Sequence, residues 1–438
     1  MKGIARLLIY RGEQVEKQNM LWNMAGSFLY AAASMVLAFL VMRIAGAGAS
    51  GIFAVGFSTV GQQMFTIAYF GLRPFQVTDG GPQQNGYSFG EYLLHRKLTT
   101  AAAVLAAAAF CGFMTWFGGY SAEKAWAVLL LAGYKIIDGY GDVYESEFQR
   151  RGCLYLTGKA NAFRTILSVS VFLLVLMGKK SLLPACAAAL AAQVAGLLLF
   201  DFSVIGELSG VDWSVRRGKI YQLFSQSSLL FISVFLDFYL FSAAKYAIDS
   251  RLDDAASGYF NLIFMPTSVI YLVANFVIRP FLTRMTACWE SRSRVEFLQL
   301  LKKLGLIIGG LTVLAVSAAW ILGLPVLRIM EMLLGEGYRG SLAVYRGSFT
   351  AIVLGGGVYA FANLLYYSLV IMRRQKRIFF VYLAASAAAF WIAPALVSRF
   401  LIPGAAAAYV LFMGMLLVGF GGCVYREIAE AKRQEQKP

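Results

Sequence analysis

Apolar runs of about 20 residues, the length needed to cross a hydrocarbon core, follow one another along nearly the whole chain. They fall near 20–43, 49–72, 98–118, 122–143, 162–178, 182–203, 222–245, 256–280, 301–323, 345–371, 378–398 and 402–425. The pattern predicts an all-α polytopic membrane protein with twelve transmembrane helices. Six runs precede a polar stretch at 206–221 and six follow it. A short motif supports the division. Ala49-Ser50-Gly51-Ile52-Phe53 with Phe57 returns as Ala256-Ser257-Gly258-Tyr259-Phe260 with Phe264, and Leu72-Arg73-Pro74-Phe75 returns as Ile278-Arg279-Pro280-Phe281. The copies stand about half of the 438 residues apart, with matching gaps. An even number of crossings lies between them, so the halves share an orientation and relate by a parallel pseudo-two-fold repeat. The expected organisation is a six-helix lobe at 1–205, a cytoplasmic link at 206–221 and a second six-helix lobe at 222–438.

Polar side chains inside such runs are costly unless they face protein or water. At about 100° per residue, Asn23, Ser27, Tyr30 and Ser34 share one face of the first run. Thr59, Gln62, Gln63, Thr66 and Arg73 do so on the second, Gln222, Gln226, Ser233 and Asp237 on the seventh, and Asn261, Ser268, Asn275 and Arg279 on the eighth. These are the first two helices of each half, and stripes in such matched positions predict a shared hydrated cavity. The competing reading is ordinary interhelical hydrogen bonding. Arg73 and Arg279 stand at equivalent helix ends, each before a proline. A guanidinium fork there suits a diphosphate, whereas a snorkelling anchor is the bland alternative. Asp237 is the candidate ion-coupling residue, for a cation or a proton, or else the partner of a cavity arginine. Lys135, Asp138 and Asp142 lie on one helix face and are expected to neutralise one another. Gly355-Gly356-Gly357 reads as a point of close helix approach, and His95, beside Arg96 and Lys97, as part of a solvated basic cluster.

Composition agrees, with 59% hydrophobic and only 14% charged residues. Most of the 39 basic residues fall on one set of alternating loops, which places both termini in the cytoplasm. The net charge of +16 is then a topology signal with attraction to anionic lipid, and nucleic acid is not an expected partner. Five scattered cysteines form no metal or disulfide pattern, and no nucleotide-binding loop or hydrolase motif is present. No catalytic residue, metal or cofactor is expected. The first run is too long for a cleaved leader and is read as a retained helix.

The segment Tyr69-Phe70-Gly71-Leu72-Arg73-Pro74-Phe75-Gln76-Val77-Thr78-Asp79, and the stretch from Phe148-Gln149-Arg150-Arg151-Gly152 through Gly158-Lys159-Ala160 to Arg164, resemble the MOP exporter superfamily. Within it, the chain looks like the polysaccharide-transport branch, the Wzx-type oligosaccharide flippases. The resemblance implies alternating access in a bacterial cell membrane. It also implies a polyprenyl-diphosphate-linked oligosaccharide moved to the outer face for surface polysaccharide assembly, alongside glycosyltransferases and a polymerase. Arg73 and Arg279 would then take the diphosphate, and Asn23, Gln62, Gln63, Gln226 and Asn275 the sugar hydroxyls. The rival expectations are a cation-coupled drug exporter of the same superfamily and, less favoured, a membrane-embedded glycan polymerase. The topology is directly testable. With Ser214→Cys or Gln434→Cys, an impermeant thiol reagent added outside intact cells is expected to label neither position, and labelling of either overturns the assigned orientation.

Overall fold

The computed structural model describes residues 2–80 and 86–435, and every regular element among them is helical. In chain order these are α1 (Lys2–Leu8), α2 (Val15–Phe53), a π-helical stretch at Ala54–Val60, α3 (Gly61–Tyr69), α4 (Arg73–Thr78), α5 (Phe89–Trp116), α6 (Ala122–Arg150), α7 (Leu154–Lys179) and α8 (Leu182–Gly196). A second π-helical stretch, Leu197–Phe202, leads into α9 (Ser203–Ile205). Then come α10 (Arg217–Arg251), α11 (Asp254–Phe264), α12 (Pro266–Glu290), α13 (Arg294–Leu334), α14 (Arg346–Ile371) and α15 (Gln375–Glu435).

Among the described residues, eight helical segments are long and apolar enough to cross a membrane. Two of them, Val15–Thr78 with 64 residues and Gln375–Glu430 with 56, far exceed one crossing at about 1.5 Å per residue. Each is broken where the backbone leaves helical geometry. Gly46 turns α2 with φ 93°, a conformation open to glycine, inside the small-residue run that parts the first two apolar segments. Leu401 turns α15 with φ 55°. Helix α6 is not among the eight because its interior is heavily charged.

The chain divides into two compact units, Met1–Phe235 and Leu236–Pro438, with the division inside α10. In the first unit the polar link is held against the start of α5. The Gly90 amide donates to the Asp212 carbonyl at 3.0 Å, Arg216 Nε donates to Glu91 Oε1 at 2.8 Å, and the Trp213 ring meets Phe89 edge-on at 4.9 Å. Glu91 also closes a capping box with Ser88 that starts α5.

Two apolar clusters build this unit. One gathers Phe53, Phe57, Phe172 and Leu176 around Ala127, Leu131 and Tyr134 of α6. The other gathers Leu72, Phe89, Tyr92 and Tyr155 around Val143, Tyr144 and Phe148 of the same helix. The charged stretch of α6 lies between the two.

In the second unit, Gly355, Gly356 and Gly357 of α14 face Tyr409, Ile270 and Thr312 on three different helices, each so close that a Cβ would crowd it. The triplet is a point of close helix approach, as the sequence suggests.

The crossing of α2 and α7 is tighter still. A Cβ on Gly158 would collide with the Trp22 carbonyl and stand 2.6 Å from the Asn23 amide nitrogen, both rigid backbone atoms. Gly158→Ala is therefore expected to destabilise the protein by about 1–3 kcal/mol, the usual cost of overpacking. Gly178→Ala, on the same helix with open space around it, is the control and should leave thermal unfolding in detergent nearly unchanged.

Candidate functional site

Helix α6 carries Lys135, Asp138, Asp142 and Glu145 at three- and four-residue spacing, so their side chains line one face. Lys135 meets Asp138 only through the Tyr30 hydroxyl, and the carboxylates take arginines from other helices, so neutralisation along the face is only part of what holds these charges. Side chains at such intervals project side by side, and a buried charge finds better geometry across a helix interface.

Arg164 of α7 supplies most of that geometry. Its Nη2 lies 2.9 Å from Asp138 Oδ1 and 2.9 Å from Glu145 Oε1, and its Nη1 lies 2.8 Å from Asp201 Oδ2. Arg73 of α4 continues the chain, with Nη1 at 2.9 Å from Asp142 and 3.5 Å from Glu145, while Nε and Nη2 both donate to Gln149 at 3.1 Å. Arg96 of α5 ends it, binding Asp142 Oδ2 at 3.0 Å and the Ala68 carbonyl at 2.9 Å. Glu145 and Asp142 thus each bridge two arginines. Lys135 donates to the Tyr30 hydroxyl at 2.6 Å, which in turn donates to Asp138 at 2.9 Å, and Gln193 donates to Asp138 at 3.2 Å.

The network is charge-balanced: Asp138, Asp142, Glu145 and Asp201 face Lys135, Arg73, Arg96 and Arg164. Balance of this kind makes ionised groups tolerable inside a membrane helix bundle. The Arg96 and Arg164 side chains are buried, while Arg73 keeps 27% of its side chain accessible. Arg73 is therefore an anchored, partly exposed guanidinium whose three nitrogens all contact Asp142, Glu145 or Gln149.

The remaining stripe residues of the first unit sit apart from this network. Gln63 is buried and donates to the Phe235 carbonyl at 3.1 Å, and exposed Gln226 accepts from the Tyr87 hydroxyl at 3.0 Å. Gln62 is half-buried, its carbonyl accepting from Thr66, and Asn23 is half-buried on α2. Among the described residues, no hydrogen bond joins these four to Arg73. His95 is also not solvated. It lies buried in α5 and stacks on Phe224 at 3.8 Å, because the residues around it belong to a helix and not to a basic loop.

In the second unit, Asp237 accepts hydrogen bonds from the Tyr359 hydroxyl at 2.9 and 3.1 Å and from Tyr382. Its partners are phenols, not the arginine that one reading allowed. Asn275 accepts from Tyr367 at 3.4 Å and from Asn363 at 3.5 Å. Arg279 belongs to α12, and its side chain lies outside the described residues.

One similarity between the units extends the sequence repeat. Phe57 and Phe264 are equivalent motif positions, and each carries a lysine ammonium over its ring, Lys135 at 4.0 Å and Lys245 at 4.6 Å. Lys245 also donates to Asn261 at 3.3 Å.

Sequence reasoning about individual stripes misses Arg96, Glu145, Arg164, Asp201 and Lys245. A usable signal existed, since an ionised group within or beside an apolar run demands a partner from another helix.

No family model matches the chain, and no curated protein matches it significantly. Solved structures do. The lipid II flippase MurJ, in an inward closed conformation, shares 12% identity with a TM-score of 0.70, covering 94% of this chain and 90% of its own. A multidrug resistance MATE family transporter of the MOP superfamily, inward-facing, gives 10% identity and a TM-score of 0.61 over 99% of each chain. A eukaryotic MATE transporter gives 13% and 0.63, over 96% of this chain and 100% of its own. At these identities the likeness defines the fold. The chain has the all-helical fold of MOP superfamily transporters.

The arginine at the centre of the network supplies the test. Arg164→Met removes the cation shared by Asp138, Glu145 and Asp201, leaves the network one carboxylate in excess, and is expected to cost about 3–5 kcal/mol, or to abolish folded protein. Adding Asp201→Asn should recover part of the loss. Arg339→Ala, which breaks an exposed pair with Glu336, should change thermal unfolding little.

Proposed function

We propose that this chain is a flippase that carries a polyprenyl-diphosphate-linked oligosaccharide from the cytoplasmic to the outer face of a bacterial cell membrane. It works by alternating access, with twelve crossings, six in each half, and both termini in the cytoplasm. The observation that carries the reading is the likeness to the lipid II flippase over 94% of the chain, together with a partly exposed arginine anchored at a helix end. Lipid II flipping is the activity of that neighbour, and a lipid-linked glycan is the substrate class proposed here.

Arg73 and Arg279 take the diphosphate. The carboxylates that hold Arg73 fix its fork, so a diphosphate meets an oriented donor and not a mobile side chain. Asn23, Gln62, Gln63, Gln226 and Asn275 offer hydrogen bonds to sugar hydroxyls. The glycan reaches the outer face for surface polysaccharide assembly, where a polymerase and, upstream, glycosyltransferases act in the same pathway.

A second reading, a cation-coupled drug exporter, draws on Asp237. A half-buried carboxylate that accepts hydrogen bonds from two phenols is placed to take up a proton or a cation. In the flippase reading the same group supplies the coupling.

Purified protein in liposomes should flip a fluorescent polyprenyl-diphosphate glycan. Arg73→Lys and Arg279→Lys keep the charge but lose the planar fork, and each is expected to weaken substrate affinity about ten- to a hundredfold, or roughly 1.5–3 kcal/mol. Wild-type flipping by both variants, at matched folded amounts, would retire the clamp. Dye transport driven by a cation gradient, with no lipid flipping and with loss in Asp237→Asn, would install the exporter in its place.

A further inference from the structure

Within the second unit, the break at Leu401 folds α15 into two arms, 375–400 and 402–435, and a groove of about 550 Å³ runs between them. Its walls follow one rule on both arms. Arg377, Phe380 and Ala384 climb one arm at i, i+3 and i+7, while Arg426, Cys423 and Gly419 descend the other at the mirrored spacing. The two arginines therefore meet at one end, and the rest of the groove is apolar. Gly419 keeps its wall bare, since a Cβ there would press on Val381 at 2.6 Å.

The charged end is strongly cationic. Arg374 and Arg377 share the buried Glu427, at 2.6 and 2.9 Å, and Arg377 also reaches Glu430 at 3.4 Å. With Arg373, Lys376 and Arg426, five cations stand against these two carboxylates. Arg426 has no carboxylate partner among the described residues. Large apolar side chains beside the groove are open, with Phe380 62% and Val418 76% exposed, as suits a surface turned to hydrocarbon.

From this the geometry points to a binding site for an anionic membrane phospholipid. Its phosphate sits against Arg426 and Arg377, and one acyl chain lies along the groove past Phe380, Ala384 and Gly419. The volume is in the range that encloses an ordinary ligand, and cations at the end of an apolar interhelical groove match a phosphate on a hydrocarbon tail. A soluble anion would use only the arginines and leave the apolar length without purpose. None of the residues assigned to transport lines the groove, and the site stands or falls independently of that function.

Cys423 reports on occupancy because it is half-buried in the groove wall, whereas Cys111, Cys186 and Cys288 are buried. The full chain with Cys153→Ser is reconstituted into bilayers of phosphatidylcholine alone or with added phosphatidylglycerol, and its labelling by neutral N-ethylmaleimide is timed. Phosphatidylglycerol is expected to slow labelling about tenfold. Arg426→Gln should remove that protection, as the loss of one charge-assisted contact lowers affinity roughly tenfold or more. Arg339→Gln, on an exposed loop, should retain it. Ala384→Trp, filling the exposed wall while leaving both arginines in place, should also remove it. Equal rates in the two bilayers would overturn the proposal, as would protection that survives Arg426→Gln or Ala384→Trp. So would equal protection by inorganic phosphate in phosphatidylcholine, or protection by a polyprenyl phosphate where phosphatidylglycerol gives none.

Discussion

The first unit depends on one requirement, that every ionised group placed inside an apolar bundle meet an opposite charge. Arg164 meets it for three carboxylates at once, on α6 and at the end of α8. Glu145 and Asp142 then pass the constraint to Arg73 and Arg96, so α4, α5, α6 and α7 are registered against each other by charge. Apolar packing alone would tolerate sliding between these helices, because one leucine row resembles the next. A chain of forked guanidinium contacts does not. The cost of desolvating eight charges is met only in one arrangement, which makes the network a device of specificity more than of net stability.

The second unit solves the same problem differently. Its acid, Asp237, rests on phenol hydroxyls, and its lysine, Lys245, on an amide and an aromatic face. These are weaker partners than a guanidinium or a carboxylate. The first unit is thus built around matched charges, whereas in the second Asp237 and Lys245 rest on neutral partners while Arg374 and Arg377 pair with Glu427. Phe57 and Phe264 each carry a lysine ammonium over the ring, supplied by α6 in one unit and by α10 in the other.

Much of the helical framework was legible in the apolar runs, because hydrocarbon admits few alternatives to a helix of about 20 apolar residues. The break between the runs ending at 43 and beginning at 49 is the turn at Gly46, and the break near 400 is the turn at Leu401. The glycine triplet was legible for a similar reason, since three bare positions on a helix permit close neighbours. Pairings were not legible. Arg164 and Asp201 are separated by 37 residues, and Arg73 and Asp142 by 69, and nothing in either residue names the other. Spacing along α6 suggested local neutralisation, but a guanidinium on a facing helix reaches two or three carboxylates at once, which neighbours along one helix face do not. His95 was misread because its charged neighbours advertise solvent, whereas Arg96 turns inward to Asp142 and takes the helix face with it.

The charge on α6 also bears on how the chain enters a membrane during synthesis. A segment carrying Lys135, Asp138, Asp142 and Glu145 is a poor substrate for insertion by itself, since each such residue costs about 2.5–3.5 kcal/mol near the centre of a helix. Arg73 and Arg96 have already been made when α6 leaves the ribosome, but Arg164 has not. Insertion of α6 is therefore expected to draw on α4 and α5 first, and on α7 once its arginine has been made. Its commitment to the bilayer is a joint event of neighbouring helices, timed by the order in which the chain is translated.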